Sequence, residues 1–441
     1  MRFCLMENIG VNELILPISM RSLFNKDVER CRFQFGGFTK MVRLVFSNEM
    51  KFNTAGIHKS FAAPYTIPEE LEFKWKINNH SFIVGPIIAF LFAKYEKSLT
   101  EKRLRRLARY AAKYSEVGGL LVMCSAKSVD LRNKKITGYY YRPANESQRR
   151  GTWHYGTFPF PEAVFQRCWG GKKEREELHR FTGGKLFNHP PLNKWKLYDL
   201  LSDSFEVFNY FPETKIFQDE KTILAMLSKH QAVYLKPIKG LSAKGIYKIT
   251  MDGSQYIVQN NFHKSRVKTS EELSKLLKII QKKSMYIAQQ PITDESNRRN
   301  IVFRVILQKN GQKKWVCNAA YVRVGVKDAI VTNRKLTDSF MTMPKALKTI
   351  YKLNKRKARK KRKEMIKVCE QVCLALEQKG IHFADVAFDV MLDTNLNIWV
   401  IELNNRLHNH FGPLKTIKSR KMYKRVVATP LAYAGALLDY K

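Results

Sequence analysis

The chain has 441 residues, too many for one compact core, so two or three domains are expected. Hydrophobic residues make up 44% and aromatics 12%, which excludes a disordered chain, while 79 Lys and Arg against 38 Asp and Glu give a formal net charge of +41 that draws anions whatever the fold. The longest apolar run, Phe82–Phe92, has 11 residues with a Gly-Pro inside it, well short of the roughly 20 needed to cross a bilayer, and reads as buried core.

The opening MRFCLMENIG has Glu7 and Asn8 where a secretory signal would continue its apolar region, so a cytoplasmic protein is expected. Seven scattered cysteines without a CxxC pair are expected to be reduced and buried. The alternating runs CRFQFGGFTKMVRLVF from Cys31 and LEFKWKI from Leu71, broken by Gly36, Gly37, Pro64 and Pro68, predict a small β-rich unit over residues 1–77. A helix is predicted over Thr100–Ser115, where Leu104, Leu107, Ala108 and Ala111 share a face, followed by strands Leu120–Cys124 and Ile136–Tyr141. That order implies an α/β layer with parallel pairing over residues 78–170, ending near Gly170-Gly171.

Further on, a helix is predicted at Lys194–Leu201, a strand at Ala232–Lys236, a glycine-containing loop and a strand at Ile246–Ile249. After a helix at Glu271–Lys282 and a strand at Met285–Gln289, the strands Ile301–Lys309 and Trp315–Val324 flank Asn310-Gly311, a hairpin signal. In KLNKRKARKKRK, Lys352–Lys363, nine of twelve positions are basic, and the run flows into an amphipathic helix with Met365, Cys369, Val372, Cys373 and Leu376 on one face.

Two segments carry chemistry. In VYLKPIKGLSAKGI, Lys236 ends an apolar strand and a loop with Gly240, Lys244 and Gly245 follows, so amides and lysines can surround phosphate oxygens; the same segment also reads as an ordinary hairpin with solvated lysines. ADVAFDVMLDTNLNIWVIELNN reads as a hairpin turning at Asp393–Asn397. Period-two alternation puts Ala387, Asp389 and Met391 on one face and Val400, Glu402 and Asn404 on the facing one, with Asp389 opposite Glu402. Opposed carboxylates repel unless a cation intervenes, so Asp389, Glu402 and Asn404 are candidate magnesium ligands; pairing of Glu402 with Arg304 or Arg406 is the alternative. His408 and His410, in RLHNHFG, read as solvent-facing loop residues, with substrate contact near the cleft or a general-base role as the alternative.

With these motifs in this order, the sequence resembles the ATP-grasp superfamily and, more narrowly, the YheC/YheD endospore coat-associated family. RFQFG at Arg32, VGPIIAFL at Val84, GGLLV at Gly118 and GYYYRP at Gly138 carry the upstream part. Downstream, NKWKLYDLL looks like the helix supplying the first ATP lysine, Lys194, with Lys236 the second. YIAQQPI is similar to the hinge strand that meets adenine through Gln289, Gln290 and Ile292. FRVILQK with Arg304, and YVRVGVKDAIVTN with Arg323 and Asn333, resemble the substrate-side and phosphate-side strands.

The resemblance implies an α+β ATP-grasp fold of two lobes, about 185–290 and 291–420 within a domain at 171–441, preceded by a pre-ATP-grasp-like α/β domain and the β-rich unit. It implies ATP and Mg as cofactors, and a carboxylate–amine ligase acting through an acyl phosphate, with Lys236 and Arg304 stabilising the transferred phosphoryl group. A spore association follows from the same likeness. Ala243, Val302 and Arg334–Thr337 depart from the family pattern, which keeps open a nucleotide-binding structural protein without turnover. The charge keeps open a polyanion or nucleic-acid binder, and a basic cleft suits an acidic carboxylate substrate.

Overall fold

The computed structural model describes residues 1–25, 28–78, 80–146, 150–168, 171–240, 244–292, 299–332 and 335–440. The chain folds into two compact units, one of Met1–His189 with Gln308–Val316 and Lys424–Lys441, the other of Pro190–Leu307 and Cys317–Tyr423. Among the described residues, no helix is long and apolar enough to cross a membrane.

The first unit contains two sheets. Strands β1 (Arg2–Met6), β2 (Glu13–Pro17), β3 (Arg30–Phe35), β4 (Phe38–Ser47), β5 (Thr54–His58), β6 (Lys74–Asn78) and β7 (Ser81–Gly85) form a seven-stranded sheet in the order β1-β5-β2-β4-β3-β7-β6. Alternation in RCRFQF turns Cys31, Phe33 and Phe35 inward. There Phe3 meets Phe33, Phe35 and Phe73 at ring separations of 6.1, 6.0 and 5.5 Å, edge-on or tilted as aromatic quadrupoles prefer.

The second sheet, in the order β11-β10-β9-β8-β12-β13, comprises β8 (Ile87–Ala93), β9 (Leu120–Asp130), β10 (Lys135–Arg142), β11 (Thr152–Pro159), β12 (Ala163–Gln166) and β13 (Leu186–Phe187). Every residue of β8 is buried, as a strand with parallel neighbours on both sides requires. The expected parallel pairing holds for β8 and β9 but not for β9 and β10, which are antiparallel. Only Leu131–Lys134 separates them, far short of a crossover, and the turn is fixed by Asn133 N donating to Asp130 Oδ1 at 3.1 Å. The helix expected at Thr100–Ser115 is also interrupted: it is α-helical over Glu101–Leu107, 3-10 over Ala108–Lys113 and α-helical again over Tyr114–Val117.

In the second unit, β14 (Thr214–Ile216), β15 (Ala232–Pro237), β16 (Tyr247–Asp252), β17 (Gln255–Gln259), β18 (Lys264–Val267) and β19 (Tyr286–Gln289) form an antiparallel sheet in the order β14-β19-β15-β16-β17-β18. The helices Glu220–His230 and Ser270–Lys283 supply Ile223, Met226, Leu227, Leu273, Leu277 and Ile280 to its core. A further sheet, β22-β21-β20-β23-β24, is built from β20 (Ile301–Lys309), β21 (Trp315–Gly325), β22 (Thr337–Thr342), β23 (Asp385–Leu392) and β24 (Ile398–Asn404). The basic run forms the first turns of a 24-residue helix, Lys355–Gln378, capped by Asn354 and burying Met365, Val368, Cys369, Val372, Cys373 and Leu376.

Gly119, which opens β9, has φ +69°, and a Cβ there would lie 2.3 Å from the Pro86 carbonyl oxygen. Gly183 has φ +58° but nothing nearer such a Cβ than Lys185 Nζ at 3.8 Å. Gly119→Ala is therefore expected to destabilise the protein by about 2–4 kcal/mol and Gly183→Ala by about 1 kcal/mol. Urea unfolding of both variants checks this, and equal losses would contradict it.

Candidate functional site

Within the second unit a cleft is lined by Lys194, Lys236, Gln289, Arg323, Asp389 and Glu402, with apolar walls from Ile246, Val302, Ile330, Met391 and Ile401. Each polar side chain is delivered by a local rule. Asn193 caps the helix Lys194–Leu201, its Oδ1 accepting from Lys196 N at 2.8 Å, which places Lys194 at the first helical position. A cation there opposes the helix dipole, so helix stability does not account for it. Lys236 is the penultimate residue of β15, and its Nζ donates to Gln289 Oε1 at 2.5 Å on the adjacent β19. Gln289 in turn donates to Thr214 Oγ1 at 3.0 Å, fixing its amide orientation.

The hairpin β23–β24 has the expected register, Asp389 opposite Glu402, but the conflict between the two carboxylates is resolved by arginines. Arg304 on β20 binds Asp389 in a fork, Nε to Oδ1 at 2.7 Å and Nη2 to Oδ2 at 3.0 Å, and Arg323 on β21 adds Nη2 to Oδ2 at 2.8 Å. Burial alone would push the Asp389 carboxyl up, but the two guanidinium groups hold it below the usual carboxylate range. Glu402 faces Lys194, Nζ to Oε1 3.7 Å, so the alternative pairing with Arg304 or Arg406 gives way to a pairing with Lys194. Burial pushes the Lys236 ammonium down to about 8, with Glu402 and Asp389 acting against that shift and Lys194 adding to it. Arg323 Nε and Asn404 Nδ2 are buried without a hydrogen-bond partner among the described residues, an unusual position for such groups.

Of the residues singled out in the sequence, Lys194, Lys236, Gln289, Gln290, Ile292, Arg323, Asp389 and Glu402 converge on this cleft. Arg304 reaches it through Asp389. Gly240, Lys244 and Gly245 are not among the lining residues, nor is Asn404. Asn333 lies outside the described residues, as do Ala243 and Arg334.

Two expectations are corrected. Val400 does not share the face of Glu402: the register passes from Asp389↔Glu402 to Val390↔Val400, so Ile401 is a bulge residue, and a bulge reverses the alternation. His408 and His410 are not solvent-facing; they are 4% and 1% exposed and turned onto the buried Asp385. The sequence reading also missed the apolar walls, Tyr234 and Asn300. Met391 was legible, lying two residues from Asp389 on the same face; Ile330 and Ile401 sit in a loop and a bulge, where no periodic signal exists.

A cleft between antiparallel sheets, with lysines from a helix start and a strand end facing an acid-bearing hairpin, is the layout of an ATP-grasp module. The family model described as YheC/D like ATP-grasp matches residues 183–437, more than half of the chain, and the chain belongs to this family. The endospore coat-associated protein YheD of Bacillus subtilis (strain 168) is 24% identical over 424 residues, covering 90% of this chain and 87% of that protein. Among solved structures, the ATP-grasp ligase PsnB complexed with minimal precursor, Mg and ADP is 9% identical, covering 79% of this chain and 98% of that one at a TM-score of 0.43. D-cycloserine synthetase DcsG is 14% identical, covering 80% and 99%, also at a TM-score of 0.43.

Lys236 titrates near 8 in the fold against an ordinary 10.5, so between those values the unfolded chain holds more protons and stability rises with pH. Below pH 8 the cost of the buried ammonium is fully present. Lys236→Met is therefore expected to melt a few degrees higher than the wild type at pH 7, with the gap closing as pH rises from about 8 towards 10.5. Thermal melts over that series check it, and a lower melting temperature for the variant at pH 7 would count against it.

Proposed function

We propose that the second unit binds ATP with magnesium and activates a carboxylate for ligation to an amine, in a protein associated with the spore. The observation that carries this reading is the convergence of Lys194, Lys236, Arg323 and Glu402 on one cleft whose cations are incompletely neutralised. The orphaned N–H of Arg323 supports it, because a buried donor without a partner costs about 1–3 kcal/mol unless a ligand accepts from it.

The donor set fits a divalent ion in part. Glu402 offers a half-exposed carboxylate, whereas Asn404 does not line the cleft and its unmet atom is the donor Nδ2, and Asp389 is taken up by its two arginines and becomes a ligand only where a guanidinium yields. When bound, magnesium supplies charge neutralisation between phosphates. Lys194 and Lys236 would hold the phosphate oxygens, and Gln289, Gln290 and Ile292 would border the base. A substrate carboxylate oxygen bonds to the γ-phosphorus as the β–γ bridge breaks and ADP leaves. The amine nitrogen then bonds to the acyl carbon, expelling phosphate and losing a proton. Fixed cations directed at the transferring group supply the catalysis, so no side-chain nucleophile is needed. The excess of positive charge favours an acidic carboxylate substrate.

Calorimetry with ATP tests this on the wild type and Glu402→Gln, each with and without magnesium. Magnesium-dependent binding that weakens about tenfold or more in the variant is expected, equivalent to about 1.4 kcal/mol. No binding to the wild type would overturn the reading. Binding without ADP formation across acidic peptides and amines would leave a nucleotide-binding structural protein of the spore coat.

A second reading, polyanion binding, rests on the helix Lys355–Gln378. Lys355, Arg356, Arg359, Lys360 and Lys363 are exposed, share one face and border a shallow depression. Cations at a helix N-terminus oppose its dipole, and like charges at i,i+4 repel, so local stability does not explain them. Replacing all five with Gln is expected to weaken duplex DNA binding and to reduce its log–log salt slope by roughly 4. An unchanged slope would remove this reading.

A further inference from the structure

The segment after β24 inverts the usual partition of side chains. Asn405, Arg406, His408 and His410 are buried, while Leu407 between them is 47% exposed and held at φ +54°, where a leucine is rarely found. The inversion turns both imidazoles onto Asp385, the first residue of β23, itself fully buried. His408 Nε2 lies 3.2 Å from Asp385 Oδ1, His410 Nε2 lies 3.0 and 2.9 Å from Oδ1 and Oδ2, and the two Nε2 atoms are 2.9 Å apart.

Protons satisfy this triangle poorly. If both Nε2 atoms carry hydrogen and donate to Asp385, two N–H edges of like polarity meet at 2.9 Å. If one donates to the other, the acceptor's lone pair must point in part towards a carboxylate oxygen at 3.0 or 3.2 Å. Each arrangement leaves one repulsive contact in a fully buried place, where there is no water to screen it. A cation at the centre converts all the lone pairs into attractive ligands. Ligand atoms bound at 2.0–2.1 Å to a tetrahedral ion lie about 3.3 Å apart, within about 0.4 Å of the separations here.

We propose that Asp385, His408 and His410 form a binding site for a divalent transition-metal ion, zinc in the first instance. Two imidazole nitrogens and one carboxylate suit zinc, whereas magnesium prefers oxygen ligands, so this centre is distinct from the Glu402 carboxylate of the nucleotide cleft. The ion ties the start of β23 to the segment leaving β24. Asp389 lies four residues along β23 on the same face as Asp385, so the centre and the Arg304–Asp389 clamp share one strand.

The test uses the full chain, stripped with chelator and titrated with zinc chloride against a competing chromophoric chelator, alongside Asp385→Asn, His408→Gln and His410→Gln. About one zinc per chain is expected in the wild type, with affinity at least tenfold weaker in each variant and no displacement by excess magnesium. Cobalt substitution is expected to give visible ligand-field bands that the variants lose. If a variant fails to fold, the cobalt spectrum and zinc-dependent rise in melting temperature of the wild type still decide. Zinc uptake below a tenth of an equivalent by folded wild type, or uptake unchanged in all three variants, would overturn the proposal.

Discussion

The clamp of Arg304 and Arg323 on Asp389 is the interaction on which the second unit depends. It joins the adjacent strands β20, β21 and β23 through side chains that are 13%, 17% and 9% exposed. Removing one partner from a buried pair leaves an uncompensated charge and typically costs about 3–5 kcal/mol, far more than an exposed ion pair contributes. The clamp also decides the electrostatics of the cleft. With Asp389 neutralised twice over, Glu402 is left as the carboxylate facing Lys194, and among the described residues Lys236 has no carboxylate within ion-pair distance.

Much of this was legible in the sequence because it rests on local periodicity. The opposition of Asp389 and Glu402 followed from alternation and a short turn, and the register agrees. Asn310-Gly311 marked the β20–β21 hairpin, and the apolar face of Lys355–Gln378 gave that helix's buried side. What escaped has one physical character: it depends on departures from period or on partners distant in sequence. A bulge at Ile401 changes which residues share a face without a composition signal. Arg304 and Asp389 are 85 residues apart, and nothing in either strand alone says that the cation will choose that acid over Glu402. The burial of His408 and His410 goes with a left-handed residue between them and the strand, Leu407, whose type argues against that conformation.

The first unit follows a different rule. Its seven-stranded sheet is held by aromatic interdigitation, and its β8 strand is apolar from end to end. Among its polar groups is Glu162, whose carboxyl burial pushes up even as Tyr440 Oη donates to Oε1 at 2.7 Å and Ile87 N to Oε2 at 2.9 Å. That carboxyl joins the chain's final residues to the start of β8, a structural use of a buried acid that contrasts with the paired, functional-looking acids of β23 and β24.

The contrast bears on why the cleft is built as it is. Stability would be served by fewer charges: a cation at the first position of a helix, an ammonium pushed down to about 8 and a buried guanidinium N–H without a partner among the described residues each work against folding. All three border the same cleft, and the rigid parts around it, a capped helix, a forked arginine clamp and a bulged hairpin, hold them there. Positive charge in excess of the facing acids, fixed by an over-determined scaffold, suits the binding of a polyphosphate, because the fixed donors then need no reorganisation when the anion arrives. Lys194 and Lys236 each cost the fold stability, and their placement on one cleft is accounted for by the anion that the proposed function would bring there.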